Sequence, residues 1–168
     1  SRTIVKAYGN NPGEFVDKLY KMKINEPFNL YIPGSAAPEI RHPNDKSKYW
    51  SASTLPWMSI GYEVQIPPIY TVAFYNSIAN NGKYIEPVFI KSISKNGQII
   101  KSFSARTINE QICKPSTLKD IRQALLGVVE NPKYGTGKAV HSPYVRIAGK
   151  TGTAQISKGS QGYKSEGT

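Results

Sequence analysis

The stretch Trp57-Met58-Ser59-Ile60-Gly61-Tyr62-Glu63-Val64-Gln65-Ile66-Pro67-Pro68, continued by Phe74-Tyr75-Asn76-Ser77-Ile78-Ala79-Asn80-Asn81-Gly82-Lys83, decides how this chain is read. Behind Pro67-Pro68, the residues Ile69, Val72, Ala73, Asn76, Ile78 and Ala79 recur at helical spacing, and Asn80-Asn81-Gly82 supplies a stop. A helix is predicted between them. Proline presets the φ of a first helical turn, and Asn-Gly accepts the left-handed backbone that closes a last one.

Downstream, residues 85–93 and 98–103 are β-rich runs joined through Lys95-Asn96-Gly97, a strong short hairpin signal, so a β-hairpin is expected over about 85–104. Pro115-Ser116-Thr117 opens a second helix, in which Leu118, Ile121, Leu125 and Val128 or Val129 form an apolar stripe that ends before Asn131-Pro132. A glycine turn at Tyr134-Gly135-Thr136-Gly137 then leads into a strand predicted over about 144–157. Residues beyond Gly159 carry no core pattern.

Upstream, Asn11-Pro12-Gly13-Glu14 reads as a helix start, with Asn11 as N-cap and Glu14 as its capping-box partner. Phe15, Val16, Leu19 and Met22 form its apolar face, and Asn25-Glu26-Pro27 lies beyond its end. Between residues 26 and 56, five proline positions break every periodic run, so a long irregular loop is expected, with Trp50 and Trp57 packing it onto the core.

Composition narrows the classes. Hydrophobic residues at 39% and charged residues at 20% are too balanced for a disordered tail or a membrane-embedded chain. No run approaches the roughly 18 apolar residues of a spanning helix, and the opening Ser1-Arg2-Thr3 is not the start of a signal peptide. A single cysteine, Cys113, excludes an internal disulfide, and with only His42 and His141 beside it neither a metal site nor a cofactor is expected. The net charge of +11 is spread from Lys6 to Lys164 and never gathers into a basic arm, and no aromatic and basic interleaving repeats, so nucleic acid is not the expected partner. Attraction to an anionic membrane or wall surface is the better use of that charge.

The chemistry sits in Ile147-Ala148-Gly149-Lys150-Thr151-Gly152-Thr153-Ala154-Gln155. Lys150 supplies a cation, Thr151 and Thr153 supply hydroxyl donors, and Gly152 removes a side chain that would block approach to the backbone. Such a strip suits an anionic substrate whose carbonyl is under attack. Taken alone, it reads better as an exposed edge strand guarded by a lysine and marked by a glycine bulge. Gly149-Lys150-Thr151 also echoes a phosphate loop, but the partner glycine would have to stand at 144, which is Tyr144.

Lys150-Thr151-Gly152 resembles the Lys-Thr-Gly element of penicillin-binding proteins and serine β-lactamases. The 57–83 segment is more specific: its Ser-x-Gly, proline, helix and Ala-Asn-Asn-Gly-Lys end resemble the transpeptidase domain of class B penicillin-binding proteins, and Pro87 and Gly135-Thr136-Gly137 extend the likeness. One departure is Glu63, where that family often has glycine. The resemblance implies an α+β fold, an antiparallel sheet flanked by helices, with residues 1–168 forming part of one domain that is incomplete at both ends: a helical part over about 1–132 and the Lys-Thr-Gly strand.

It also implies a mechanism. A serine attacks the penultimate D-Ala carbonyl of a peptidoglycan stem peptide, and an amine of a neighbouring stem resolves the acyl-enzyme; β-lactams enter by the same route. Lys150 would set the attracting field, Thr151 and Thr153 would bind the substrate carboxylate, Gly152 would admit the substrate, and the Thr153 N–H would form half of an oxyanion hole. The family's Ser-x-x-Lys and Ser-x-Asn belong upstream of Trp57, and none lies there. Ser92-Ile93-Ser94-Lys95, Ser116-Thr117-Leu118-Lys119 and Ser94-Lys95-Asn96 match only as strings, so no catalytic residue is assigned on this chain and the piece alone is expected to be inactive. A β-lactam sensor and a β-lactamase-like hydrolase of the same fold stay open as alternatives. For the parent protein the resemblance implies the extracytoplasmic, periplasmic side of a bacterial cell membrane and partnership with other wall-synthesis proteins, with the 26–56 loop as the expected contact surface.

Overall fold

The computed structural model describes residues 1–152, together with the backbone of Ile156–Ser157 and Tyr163–Lys164. Two compact units divide the chain, Ser1–Leu118 and Lys119–Thr168.

The first unit opens with helices α1 (Arg2–Tyr8) and α2 (Pro12–Lys21). Asn11 caps α2 as expected and Pro12 takes the first position, but the capping box is replaced by a side-chain pair: the Asn11 amide donates to Glu14 Oε1 at 2.9 Å. Val16 faces inward, fully buried, and with Ile40 and Met58 makes a core on which Phe15, Leu19, Ile24, Trp50 and Val64 pack. The long loop is therefore anchored through Ile40 and Trp50, where β1 (Glu39–Ile40) pairs antiparallel with β2 (Val64–Gln65) and the Tyr20 hydroxyl donates to the Ile40 carbonyl at 2.7 Å. Trp57, in the short helix α3 (Thr54–Met58), behaves differently from the expectation: it stays 42% exposed and packs edge-on against Tyr62.

Helix α4 (Pro68–Ala79) forms where the sequence predicts it. Its buried face is Tyr70, Ala73, Ser77 and Ile78, whereas Val72 points outward. Apolar residues surround this helix, so spacing alone leaves the phase open, and the choice falls to an aromatic cluster. Phe28 stacks on Tyr70 at 3.9 Å, its N–H donates to the Tyr70 hydroxyl, and the fully buried Tyr84 meets Phe28 and Phe74 edge-on.

The predicted 85–93 strand is split. Tyr84–Ile85 (β3) pairs with Thr107–Asn109 (β6), while Ser92–Lys95 (β4) pairs with Gln98–Ser102 (β5). Pro87 carries no N–H for a ladder, and the chain leaves it between these two pairs. The β4–β5 turn is as predicted, with Asn96 and Gly97 both at positive φ, the backbone that matches strand twist. The α+β class holds, with the strands arranged as four separate antiparallel pairs among the described residues.

Helix α5 (Pro115–Glu130) carries the chain into the second unit. Its stripe is part right: Leu118 and Val129 are buried, while Ile121 is exposed. A 3₁₀ turn at Lys138–Val140 follows, and β7 (Ile156–Ser157) pairs with β8 (Tyr163–Lys164). Of the strand expected over 144–157, the described residues form Ile156–Ser157; residues 153–155 lie outside the described residues, and residues 144–152 carry no ladder. The reason is visible in their hydrogen bonds, which go to a helix.

Candidate functional site

The candidate strip is held by the C-terminal half of α5 and the turn that follows. Asn131 ends the helix by accepting the N–H groups of Lys133 and Tyr134 on its side-chain oxygen at 3.0 and 2.8 Å. Gly135 then donates to the Asn131 carbonyl and Gly137 to the Val128 carbonyl, folding the turn back onto the helix end. A Cβ at Gly135 would lie 2.5 Å from the Asn131 oxygen and 2.8 Å from that of Val128, so only glycine lets the backbones approach this closely.

Residues 147–149 lie along the same helix. The Ile147 N–H donates to Glu130 Oε1 at 3.2 Å, and the Gly149 N–H to the Leu125 carbonyl at 3.1 Å. Alternate N–H groups of an extended segment point to one side, so a helix carbonyl and a carboxylate stand where a sheet would place a neighbouring strand. Glu130 also faces His141 Nε2 at 3.6 Å.

Beyond this anchor the strip opens to solvent. Lys150, Thr151 and Gly152 are exposed. The Thr151 hydroxyl is 2.9 Å from the Thr136 hydroxyl, a hydrogen bond in which either can donate. Lys150 Nζ folds onto the carbonyl of Thr151. Among the described residues, a Cβ at Gly152 would meet nothing within 4 Å. The structure thus brings Lys150, Thr151 and Gly152 together on one exposed segment and adds Thr136, Glu130 and Asn131, which the sequence argument did not name as site residues. Their sequence signal was the Asn-Pro helix end followed by Gly-Thr-Gly. Thr153, the fourth expected site residue, lies outside the described residues.

The serine strings fall elsewhere. Ser92, Ser94 and Lys95 are exposed in β4, where residues three apart project to opposite faces. Ser116 sits inside the first turn of α5, because the Lys114 carbonyl already accepts from the Leu118 N–H. Ser116 and Lys119 are both exposed. Among the described residues no three of His, Cys, Asp and Glu converge as metal ligands, and no helix is long and apolar enough to cross a membrane.

The first unit holds an ion pair of its own, between Glu86 and Arg106. Burial pushes the Glu86 carboxyl up, but the Arg106 guanidinium at 3.1 Å and the Asn29 N–H outweigh it and hold Glu86 below the usual glutamate range. Arg106 also reaches the Pro27 carbonyl and Glu26, tying the start of the long loop to β6. Burial, with a contribution from Tyr70, pushes the Tyr84 hydroxyl up to about 12.

Residues 27–168 match the family model described as the penicillin-binding protein transpeptidase domain. The chain is 28% identical over 158 residues to the penicillin-binding protein PbpB of Mycolicibacterium smegmatis, covering 91% of this chain and 24% of that protein. It is 30% identical over 130 residues to the peptidoglycan D,D-transpeptidase MrdA of Acinetobacter baumannii, covering 74% of this chain and 18% of that protein. Its fold resembles penicillin-binding protein 2B of Streptococcus pneumoniae with a TM-score of 0.70 at 20% identity, over 86% of this chain and 24% of that one. The chain therefore spans about a quarter or less of the length of these curated relatives.

Proposed function

The chain belongs to the family of penicillin-binding protein transpeptidase domains, and on that premise we propose that it forms one wall of a serine D,D-transpeptidase site that cross-links peptidoglycan stem peptides and is acylated by β-lactams. The observation that carries the reading is the exposed strip in which Thr151 is positioned by Thr136 beside Lys150 and Gly152, where a Cβ would meet nothing within 4 Å among the described residues.

Each residue has a role in that chemistry. The Lys150 ammonium draws the substrate carboxylate to the strip. Thr151 and Thr153 donate hydroxyl hydrogen bonds to it, and the hydrogen bond from Thr136 fixes the Thr151 rotamer in advance, which lowers the cost of ordering it on binding. Gly152 leaves the backbone accessible, and the Thr153 N–H stabilises the oxyanion of the tetrahedral intermediate, an interaction of about 3 kcal/mol in comparable acyl-transfer sites. The nucleophilic serine comes from a part of the protein other than residues 1–168; the greater length of the relatives supports this. Ser116 and Ser92 are read as structural. The parent protein works on the extracytoplasmic side of the cell membrane, where stem peptides and other wall-synthesis proteins are found.

The test uses the full-length protein that carries this chain. Wild type is expected to form a stable adduct with fluorescent penicillin and to join stem peptides, and Lys150→Ala is expected to lose at least about tenfold in acylation rate. Acylation without cross-linking would make the protein a sensor, and rapid turnover of the penicillin would make it a hydrolase. Labelling of the isolated 168-residue chain at Ser116 would overturn the assignment of the nucleophile.

A further inference from the structure

The β3–β6 and β4–β5 pairs follow one another along the same hairpin, which opens between them. The Glu86 N–H donates to the Arg106 carbonyl on one side of the gap, and the Phe103 N–H to the Lys91 carbonyl on the other, both at 2.9 Å. Beside the gap lies a cavity of about 310 Å³ walled by Tyr31, Val88, Phe89, Ile90, Lys101 and Phe103. Glu86 lies on its floor, already neutralised by Arg106.

Beyond the cavity the β4–β5 arm is exposed at every residue. Ile93, Ile99 and Ile100 are 47%, 66% and 64% exposed, and no described strand pairs with the outer edge of either β4 or β5. A two-stranded hairpin is marginal alone, and three strands are ordinarily needed for stability. This arm has the unpaired edge and the apolar side chains of a sheet that accepts another strand.

Charge selects the occupant. From Pro87 to Asn109 the chain holds Lys91, Lys95, Lys101 and Arg106 and no carboxylate. Two copies of the arm laid edge to edge would set like charges against each other, which is destabilising across a sheet. A bilayer would meet the tip first, and the tip is Lys95-Asn96-Gly97-Gln98, polar throughout, with the isoleucines and the cavity set back along the flank. A strand-shaped partner lying along the arm reaches all of them.

We propose that the β4–β5 arm and the cavity at its root dock an acidic, strand-forming segment of another polypeptide. Its backbone pairs with an edge of the arm, its carboxylates meet Lys91, Lys95 and Lys101, and one of its apolar side chains enters the cavity between Tyr31, Phe89 and Phe103.

The test measures fluorescence anisotropy of a labelled synthetic peptide of alternating glutamate and valine, about ten residues long, against the full chain. Saturable binding is expected, weakened at least about tenfold in Ile99→Glu/Ile100→Glu and in Lys91→Glu/Lys95→Glu, all exposed positions whose substitution leaves the circular dichroism unchanged. A backbone N-methylated version of the peptide is expected not to bind, since it cannot complete a ladder. Binding of polyglutamate as tight as that of the alternating peptide, equal binding of the N-methylated version, indifference to both double variants, preferential binding to phosphatidylglycerol vesicles, or no binding at all would each overturn the proposal.

Discussion

The hydroxyls of Thr136 and Thr151 lie 2.9 Å apart, joining the Gly-Thr-Gly turn to the Lys-Thr-Gly strip across fifteen residues of chain. If this bond presets Thr151 for a substrate carboxylate, Thr136→Val in the full-length protein will slow acylation by penicillin several-fold while changing stability by less than about 0.5 kcal/mol, because both hydroxyls are exposed. Stopped-flow acylation with parallel urea denaturation separates the two effects. Thr136→Ser, which keeps the hydroxyl, is expected to retain the wild-type rate.

Two glycines of the site have opposite physical reasons. Gly135→Ala pushes a methyl against the Asn131 and Val128 carbonyls, at 2.5 and 2.8 Å, and is expected to cost about 1–3 kcal/mol in urea unfolding. Gly152→Ala meets nothing within 4 Å among the described residues and should leave stability within about 0.5 kcal/mol while impairing penicillin acylation of the parent. A stability loss at Gly152 comparable to that at Gly135 would make Gly152 structural.

Tyr84 is fully buried, and its hydroxyl has no hydrogen-bond partner among the described residues. A buried polar atom in that state costs free energy, so Tyr84→Phe is expected to be neutral or to stabilise the fold by up to about 1 kcal/mol. The hydroxyl also sets an alkaline limit. Its folded pKa of about 12 exceeds the ordinary value of 10.0, so the unfolded chain ionises first: the stability of the fold is unaffected by this group below pH 10 and falls as pH rises toward 12. Urea titrations across that window should show wild type losing stability relative to Tyr84→Phe.

Glu86 gives the acid counterpart. Its carboxyl is held below the usual range, so the stability it provides with Arg106 is present above the unfolded glutamate pKa and disappears as pH falls through the lowered folded value. Glu86→Gln should be less stable than wild type at pH 7, by about 1 kcal/mol for a buried carboxylate that loses its charge beside a half-exposed guanidinium. The gap should close on acidification below the glutamate range. Urea unfolding at neutral and acid pH reads it directly.

Glu63 stands at φ +61°, a backbone state that costs non-glycine residues about 1 kcal/mol. Its carboxylate meets Arg41 at 2.9 Å, a half-exposed pair that offsets part of the strain. Glu63→Ala keeps the strain and loses the pair, whereas Glu63→Gly loses both. Glu63→Gly is therefore expected to be more stable than Glu63→Ala, measured by thermal denaturation.

Local chain chemistry was legible in the sequence. The Asn11-Pro12 and Pro67-Pro68 helix starts, the Asn131-Pro132 stop and the Asn96-Gly97 turn are all dihedral preferences of one or two residues, and they act wherever the chain is placed. The membership of the family was legible too, through the 57–83 segment. Tertiary structure decided what depends on partners distant in sequence. It turned α4 so that Tyr70 and Ser77 meet the Phe28 and Tyr84 aromatics while Val72 faces water, a phase that a helix apolar on every side cannot specify by spacing. It broke the expected 85–93 strand at Pro87 and left the β4–β5 isoleucines exposed. It gave the strip before Thr151 a helix carbonyl and a carboxylate in place of a strand, because a backbone N–H takes whichever acceptor the fold brings within reach.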